Sequence, residues 1–153
     1  MDMIMILSLV VPLVLLFTGV IIGFISTRTN YFKFDDEKAK FFMKKHSIFR
    51  MFGILYNCIH YLLSVFAVIF TMITVYMVMD KSMEVQKQIF FLLLAAIFST
   101  LSNALKLQDV AKAYFKAMRI LETGILMYKE KHNIEELIKA NEQAETIIGE
   151  RFA

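Results

Sequence analysis

Residues 51–79 read MFGILYNCIHYLLSVFAVIFTMITVYMVM and hold no Asp, Glu, Lys or Arg. As an α-helix rising about 1.5 Å per residue, this stretch exceeds the roughly 30 Å hydrocarbon core of a bilayer. It therefore predicts a transmembrane helix. The chain of 153 residues is 58% hydrophobic with a net charge of +3, so a bilayer rather than water is expected to be its main solvent.

Two further uncharged runs, residues 3–27 and 89–105, predict two more spans. The second is short and relies on Lys87 and Lys106 snorkelling outward from its ends. The expected fold is all-α: a membrane protein with three transmembrane helices, the last continuing without a break into a cytoplasmic helical hairpin. Residues 1–106 would form the transmembrane region, and residues 107–153 the hairpin and oligomerisation region.

Basic residues set the expected orientation of these spans. Lys and Arg concentrate in residues 28–50 and 106–131, whereas residues 80–88 hold few. Because basic segments stay in the cytoplasm, the N-terminus is expected outside and the C-terminal third inside. We interpret the first run as a retained anchor rather than a cleaved signal peptide, because Asp2 stands where a basic n-region would be.

Residues 30–50 predict an amphipathic connector between the first two spans. Its acidic residues come first and its basic residues last, which suits the dipole of a helix. Aromatic side chains recur at roughly helical spacing, at Phe34, Phe41, Phe42, Phe49 and Phe52. Two interpretations stay open: the Phe face packs on neighbouring helices, or the lysines bind anionic lipid at the inner interface.

A stripe of small and polar residues, here called the polar stripe, runs along the span at residues 51–79. Its members are spaced alternately by three and four residues, which places them on one side of a helix: Asn57, His60, Ser64, Ala67, Thr71 and Thr74. Polar groups are costly in lipid, so the stripe must face protein, another subunit or water. His60 in particular suits an interhelical hydrogen bond, a pore-facing position or a proton-sensitive switch.

A heptad seam follows the third span. It comprises Leu107, Ala111, Tyr114, Met118, Leu121, Ile125 and Tyr128. The helix is expected to break at residues 131–133, where Asn133 can cap a new helix with Glu136 at the capping-box position. The seam could be buried by the hairpin folding back on it, or between subunits, and we expect both to hold in part.

The sequence contains none of the usual signatures of an enzyme. There is no H-E-x-x-H, P-loop, G-x-G-x-x-G or nucleophile elbow, and the three histidines lack partners at metal-ligand spacing. We expect no enzymatic activity, cofactor or metal. The basic residues sit at membrane ends, so no direct binding of nucleic acid is expected. Cys58 is the single cysteine, which excludes an intramolecular disulfide.

Residues 51–153 combine closely spaced apolar helices, a very short loop and a long helical tail that includes AYFKAMRILE at residues 113–122. This layout resembles the SLATT-type proteins, which are small multi-span membrane effectors of bacterial antiviral systems. It is also similar to the membrane accessory proteins of type VI-B CRISPR systems, which begin with an N-terminal anchor and carry a helical cytoplasmic part related to the HEPN fold. Arg119 is not followed by a His at the spacing of a HEPN active site, so ribonuclease activity does not carry over.

Both resemblances imply a homo-oligomeric pore or membrane-perturbing assembly in the bacterial inner membrane, switched on during phage infection. A CRISPR effector or another signalling protein would be its cytoplasmic partner. The leading hypothesis is a closed ring that depolarises the cell envelope, with the polar stripe lining its path and the heptad seam joining its subunits. The alternatives are a non-conducting membrane scaffold that recruits a cytoplasmic partner, and a phage holin-like protein.

Overall fold

A computed structural model describes residues 18, 37–79 and 85–152 of the chain. Its elements are four helices: α1 at Glu37–Met79, α2 at Val85–Ala104, α3 at Leu107–Lys131 and α4 at Ile134–Phe152. No strand occurs among the described residues. The predicted all-α class is therefore confirmed.

Two helical segments, Ala39–Met79 and Val85–Lys131, are long and apolar enough to cross a membrane, by length and composition. They include the predicted spans at residues 51–79 and 89–105 and indicate a membrane location. The predicted first span at residues 3–27 lies outside the described residues. Three spans are therefore not confirmed; two candidate spans are present in the part of the chain that the structure describes.

Helix α1 joins two segments that the sequence separates. The connector was expected at residues 30–50 and the span at residues 51–79, but α1 runs through this boundary from Glu37 to Met79. Gly53 lies within the helix, where a glycine costs only about 1 kcal/mol relative to alanine. The backbone therefore stays helical where the charged residues end and the uncharged residues begin. Only the chemistry of the side chains changes at that boundary.

The expectation of one unbroken helix after the third span is wrong. Leu105 and Lys106 form a turn between α2 and α3, and Lys106 has a φ of 46°. Its N–H donates to the carbonyl of Asn103, three residues earlier, at 3.2 Å. This is the spacing of a 3₁₀ turn, whereas an α-helix pairs residues four apart. A residue in the left-handed region ends a helix, and here it does so without Gly or Pro.

The predicted break between α3 and α4 is present. His132, with a φ of 52°, follows the last residue of α3, and its N–H donates to Tyr128 O at 2.8 Å. Asn133 then caps α4, because its Oδ1 accepts a hydrogen bond from Glu135 N at 3.0 Å. Glu136 carboxylate lies 3.8 Å from Lys131 Nζ.

The described residues divide into two compact units. Residues 58–79 and 85–107 form one, here called the apolar unit, and residues 37–57 and 108–152 form the other, here called the amphipathic unit. The beginning of α1 thus groups with α3 and α4 rather than with the rest of its own helix. This differs from the expected division at residue 106, which assigned the connector to the transmembrane region.

The amphipathic unit has a closed apolar core. Leu121, Ile125 and Leu137 are its largest fully buried side chains, and Ala117, Ala144 and Phe49 complete the cluster. A Cβ added at Gly124 would lie 2.5 Å from Ala140 Cβ, so α3 and α4 approach as closely as a glycine permits.

The Phe face of the connector belongs to this core. Phe49 is buried, and the rings of Phe49 and Phe52 lie 6.2 and 5.4 Å from the ring of Tyr114. Phe41, in contrast, is 61% exposed. Of the two interpretations of this segment, the contacts show packing on neighbouring helices for these two rings.

Candidate functional site: the polar face of the apolar helix pair

Helices α1 and α2 run antiparallel within the apolar unit. Residues near the beginning of α2 contact residues near the end of α1, and residues near the end of α2 contact earlier residues of α1. Gln88 Nε2 donates to the carbonyl of Met77 at 3.1 Å. The ring of Phe70 lies 6.0 Å from Phe91 and 5.5 Å from Phe98. These contacts define the line along which the two helices meet.

A polar cluster lies farther along this line. Ser102 Oγ is 3.0 Å from His60 Nδ1 and 3.4 Å from Ser64 Oγ, and Ser64 Oγ donates to the carbonyl of His60 at 2.9 Å. Ser102 is only 5% exposed. In a low-dielectric setting, polar side chains that hydrogen-bond one another hold two helices in one register. Leaving such a side chain without a hydrogen-bond partner there costs free energy. His60 therefore takes the role of an interhelical hydrogen-bond partner within one chain.

The remaining members of the polar stripe have different surroundings. Thr74 is 8% exposed and donates to the carbonyl of Phe70. Thr71 is exposed and donates to the carbonyl of Ala67 at 2.8 Å. Asn57 is half-buried and belongs to the amphipathic unit. The expected lining by Asn57, His60, Ser64, Thr71 and Thr74 stays a prediction, and among them Thr71 offers an exposed side chain.

Helix α2 carries a second set of small and polar residues, here called the polar row: Ala96, Ser99 and Asn103. All three are exposed, whereas Ala95 and Ser102 on the same helix are buried. Ala96 and Asn103 directly follow the buried positions, so they lie about 100° round the helix from the contact line with α1.

Thr71 on α1 is exposed as well. Both helices of the apolar unit thus expose polar side chains, here called the polar face: Thr71 on α1, and Ser99 and Asn103 on α2.

The apolar unit also exposes large apolar side chains, and Ile89 and Leu92 share a face of α2 with Ala96 and Ser99, which follow them by seven residues. The exposed apolar side chains include Val68, Met72, Val75, Val78, Ile89, Phe90, Leu92, Leu93, Ile97 and Leu101. In water such a surface would be an aggregation site, whereas acyl chains solvate it without cost.

The heptad seam is covered within one chain. Ala111, Leu121 and Ile125 are no more than 1% exposed, and Tyr114, Met118 and Tyr128 pack against the core of the amphipathic unit. Leu107, at 6%, is also buried. The seam was expected to serve the hairpin and the subunit contact together, but the hairpin and the beginning of α1 occupy it. The use of the seam between subunits stays a prediction, and Tyr114, Met118 and Tyr128 are half-buried in the single chain.

Sequence reasoning did not predict the contact of Ser102 with His60. The pairing expected in a helical hairpin could have indicated this contact, because His60 and Ser102 lie at nearly equal distances along the chain from residues 80–84. Nor did sequence reasoning predict which side of α2 the polar row occupies. That side depends on which residues of α2 face α1, and only the contacts supply this.

No group of three His, Cys, Asp or Glu that could hold a metal ion occurs in the described part of the chain. Comparison with known proteins finds no family model, no curated protein and no solved structure that matches the chain. Function is therefore inferred from the geometry of the site.

Proposed function

We propose that the chain is a homo-oligomeric membrane effector that depolarises the bacterial cytoplasmic membrane, in the antiviral role that its layout suggests. Several copies would surround a path lined by polar side chains, with Thr71 among them. The amphipathic unit would lie in the cytoplasm and receive the activating signal.

One observation carries this proposal: the two most apolar helices both expose polar side chains. A hydroxyl or amide in hydrocarbon costs several kcal/mol without a hydrogen-bond partner. Ser99 and Asn103 are exposed in the single chain, and so is Thr71, whose hydroxyl already donates to the carbonyl of Ala67. Further copies of the chain, or water enclosed between copies, would provide the partners that lipid lacks.

A pair of helices has no interior, so an aqueous path requires assembly. Copies arranged about an axis with their polar faces inward would enclose one and present their apolar side chains to lipid. The cluster of His60, Ser64 and Ser102 would hold the orientation of α1 relative to α2. Without this register the two contributions to the polar face would not keep one arrangement.

The proposal is tested by expressing the full chain in bacteria and following membrane potential with a voltage-sensitive dye, with and without phage. Thr71→Leu removes an exposed hydroxyl that donates to the carbonyl of Ala67 on its own helix. Met72→Leu is the matched control, because Met72 is the neighbouring residue and is 67% exposed. We expect depolarisation by the wild type and by Met72→Leu, and a clear loss with Thr71→Leu.

An unchanged potential in cells that express the wild type, with or without phage, would contradict the pore. Equal depolarisation by both variants would contradict a path lined by Thr71. Plating efficiency of phage on the same strains tests the antiviral role, which requires protection by the wild type.

A non-conducting scaffold is the second candidate, and one observation favours it. An open groove of about 530 Å³ runs between α3 and α4 in the amphipathic unit, lined by Lys116 and Ile120 on α3 and Lys139, Gln143, Thr146 and Glu150 on α4. Its apolar floor and charged rim suit a protein partner. Under this alternative Lys139→Glu, but not Lys129→Glu outside the groove, would abolish protection while membrane potential stays unchanged throughout.

A further inference from the structure

We infer that His46 makes the docking of α1 on the hairpin of α3 and α4 sensitive to pH, so that this docking weakens as the pH falls. The contact lies within the amphipathic unit, where residues 37–57 group with residues 108–152. The inference goes beyond the proposed function, because it requires neither a pore nor a second copy of the chain.

The beginning of α1 docks through one row of residues, here called the docking row: Ala39, Phe42, His46, Phe49 and Gly53. Their spacing alternates between three and four residues, which places all five on one face of the helix. Ala39 and Phe49 are 1% and 7% exposed, and Phe42 packs against the core of the unit. A Cβ added at Gly53 would lie 3.0 Å from the ring of Phe115 on α3. His46 is therefore the one polar side chain of a row that is otherwise apolar.

The ring of His46 lies among charges but lacks a hydrogen bond at one nitrogen. Its Nε2 atom is buried and has no hydrogen-bond partner among the described residues. Two charged groups act on the ring: the carboxylate of Glu122 on α3 and the guanidinium of Arg50 on its own helix. On α4, Glu145 pairs with Lys45, the residue before His46. All three helices thus bring charged groups to this contact.

A neutral imidazole suits this position better than a protonated one. One nitrogen of the neutral ring carries no hydrogen, and an unused acceptor costs less than an unused charged donor. A proton added to His46 would place a charge in the contact, where burial removes its hydration. Glu122 attracts that charge and Arg50 repels it, so the loss of hydration is the largest effect on the ring.

Protons therefore favour the released form of α1. Once released, His46 would be hydrated and would bind a proton as the pH falls through about 6.5, the usual value for an imidazole. The docked ring binds a proton less readily because it is buried, so the released form takes up more protons. Docking has its full strength above about pH 6.5 and loses strength below it. In the cytoplasmic location proposed for this unit, a fall in cytoplasmic pH would be the signal that it registers.

Thermal unfolding of the full chain in detergent, followed by circular dichroism at about pH 7.5 and about pH 5.5, tests the inference. His46→Gln removes the titrating ring and keeps a neutral polar side chain. His46→Leu keeps the test decisive if His46→Gln does not fold, because leucine continues the apolar row. His132→Gln is the matched control, since His132 is exposed at the turn between α3 and α4.

We expect the melting temperatures of the wild type and of His132→Gln to fall between the higher and the lower pH. Those of the two His46 variants should fall by less than half as much. A purely structural role of His46 would change the melting temperature equally at both pH values. Equal falls in the wild type and the His46 variants, or a rise in the wild type on acidification, would overturn the inference.

Unfolding in detergent does not depend on conductance, so the two proposals can fail separately. A loss of stability on acidification that requires His46, in a protein that leaves membrane potential unchanged, keeps this inference and removes the pore. A protein that depolarises the membrane but loses the same stability with and without His46 keeps the pore and removes this inference.

Discussion

The apolar unit and the amphipathic unit place the same kinds of side chain in opposite positions. In the amphipathic unit Leu121, Ile125 and Leu137 are fully buried while Lys and Glu residues stay outside. In the apolar unit Met72 and Phe90 are among many large apolar residues that are exposed, while Ser102 is buried. The amphipathic unit buries apolar side chains, which water solvates poorly, and the apolar unit buries a hydroxyl, which hydrocarbon solvates poorly.

This contrast teaches that the two units are held together by different forces. The amphipathic unit depends on removing apolar area from water. The apolar unit gains little from that in lipid, so contacts between helices and the hydrogen bonds of His60 with Ser102 carry more of its specificity. Surface ion pairs such as Arg151 with Asp109, at 2.6 Å, add little to either.

The largest expected effect breaks the core of the amphipathic unit. Leu121→Ala leaves a cavity at a side chain with 0% exposure and should lower the free energy of unfolding by about 2–5 kcal/mol. Leu126→Ala, at a residue 45% exposed on the same helix, should cost far less. Thermal unfolding of the full chain in detergent, followed by circular dichroism, measures both. Similar losses of unfolding free energy in the two variants would contradict a core stabilised by the burial of apolar side chains from water.

The next effect concerns the approach of α3 and α4. Gly124→Ala brings a methyl group into overlap with Ala140 and should cost about 1–3 kcal/mol. Gly149→Ala is the control, because a Cβ there meets nothing within 4 Å, and it should be neutral or stabilising. Denaturant titration of both variants reports the difference. A harmless Gly124→Ala would show that the two helices can separate freely.

A smaller effect tests the polar cluster of the apolar unit. Ser102→Ala removes the side chain that bonds His60 and should destabilise the helix pair by about 1 kcal/mol. Thr100→Ala, at an exposed residue of the same helix, is the comparison. Hydrogen exchange of α2 amides in micelles should increase for the first variant only. Equal exchange in the two would mean that the cluster does not hold the pair.

The smallest effect is a gain. His132 has a φ of 52°, which costs a residue with a Cβ about 1 kcal/mol, so His132→Gly should raise the stability of the hairpin by about 0.5–1 kcal/mol. Lys129→Gly, inside α3, should instead lower it by about 1 kcal/mol. The melting temperatures of the two variants should therefore move in opposite directions.

Helix positions were largely predictable because they depend on local patterns. The apolar run at residues 51–79, the helical spacing of the Phe residues and the cap at Asn133 each depend on residues close to one another in the sequence. The turn at Lys106 was not predictable, because no Gly or Pro marks it. The extent of α1 was missed for a related reason: a change from charged to uncharged residues does not end a helix.

Composition and periodicity established the helical class, the apolar character of the spans and the faces on which polar and apolar residues lie. Periodicity defines such a face, but it does not show which part of the molecule covers it. The packing of the helices shows that α1 and α4 cover the heptad seam, that Ser102 contacts His60, and that Ser99 and Asn103 stay exposed. Those outcomes depend on contacts between residues far apart in the chain, where several partners would satisfy the same face.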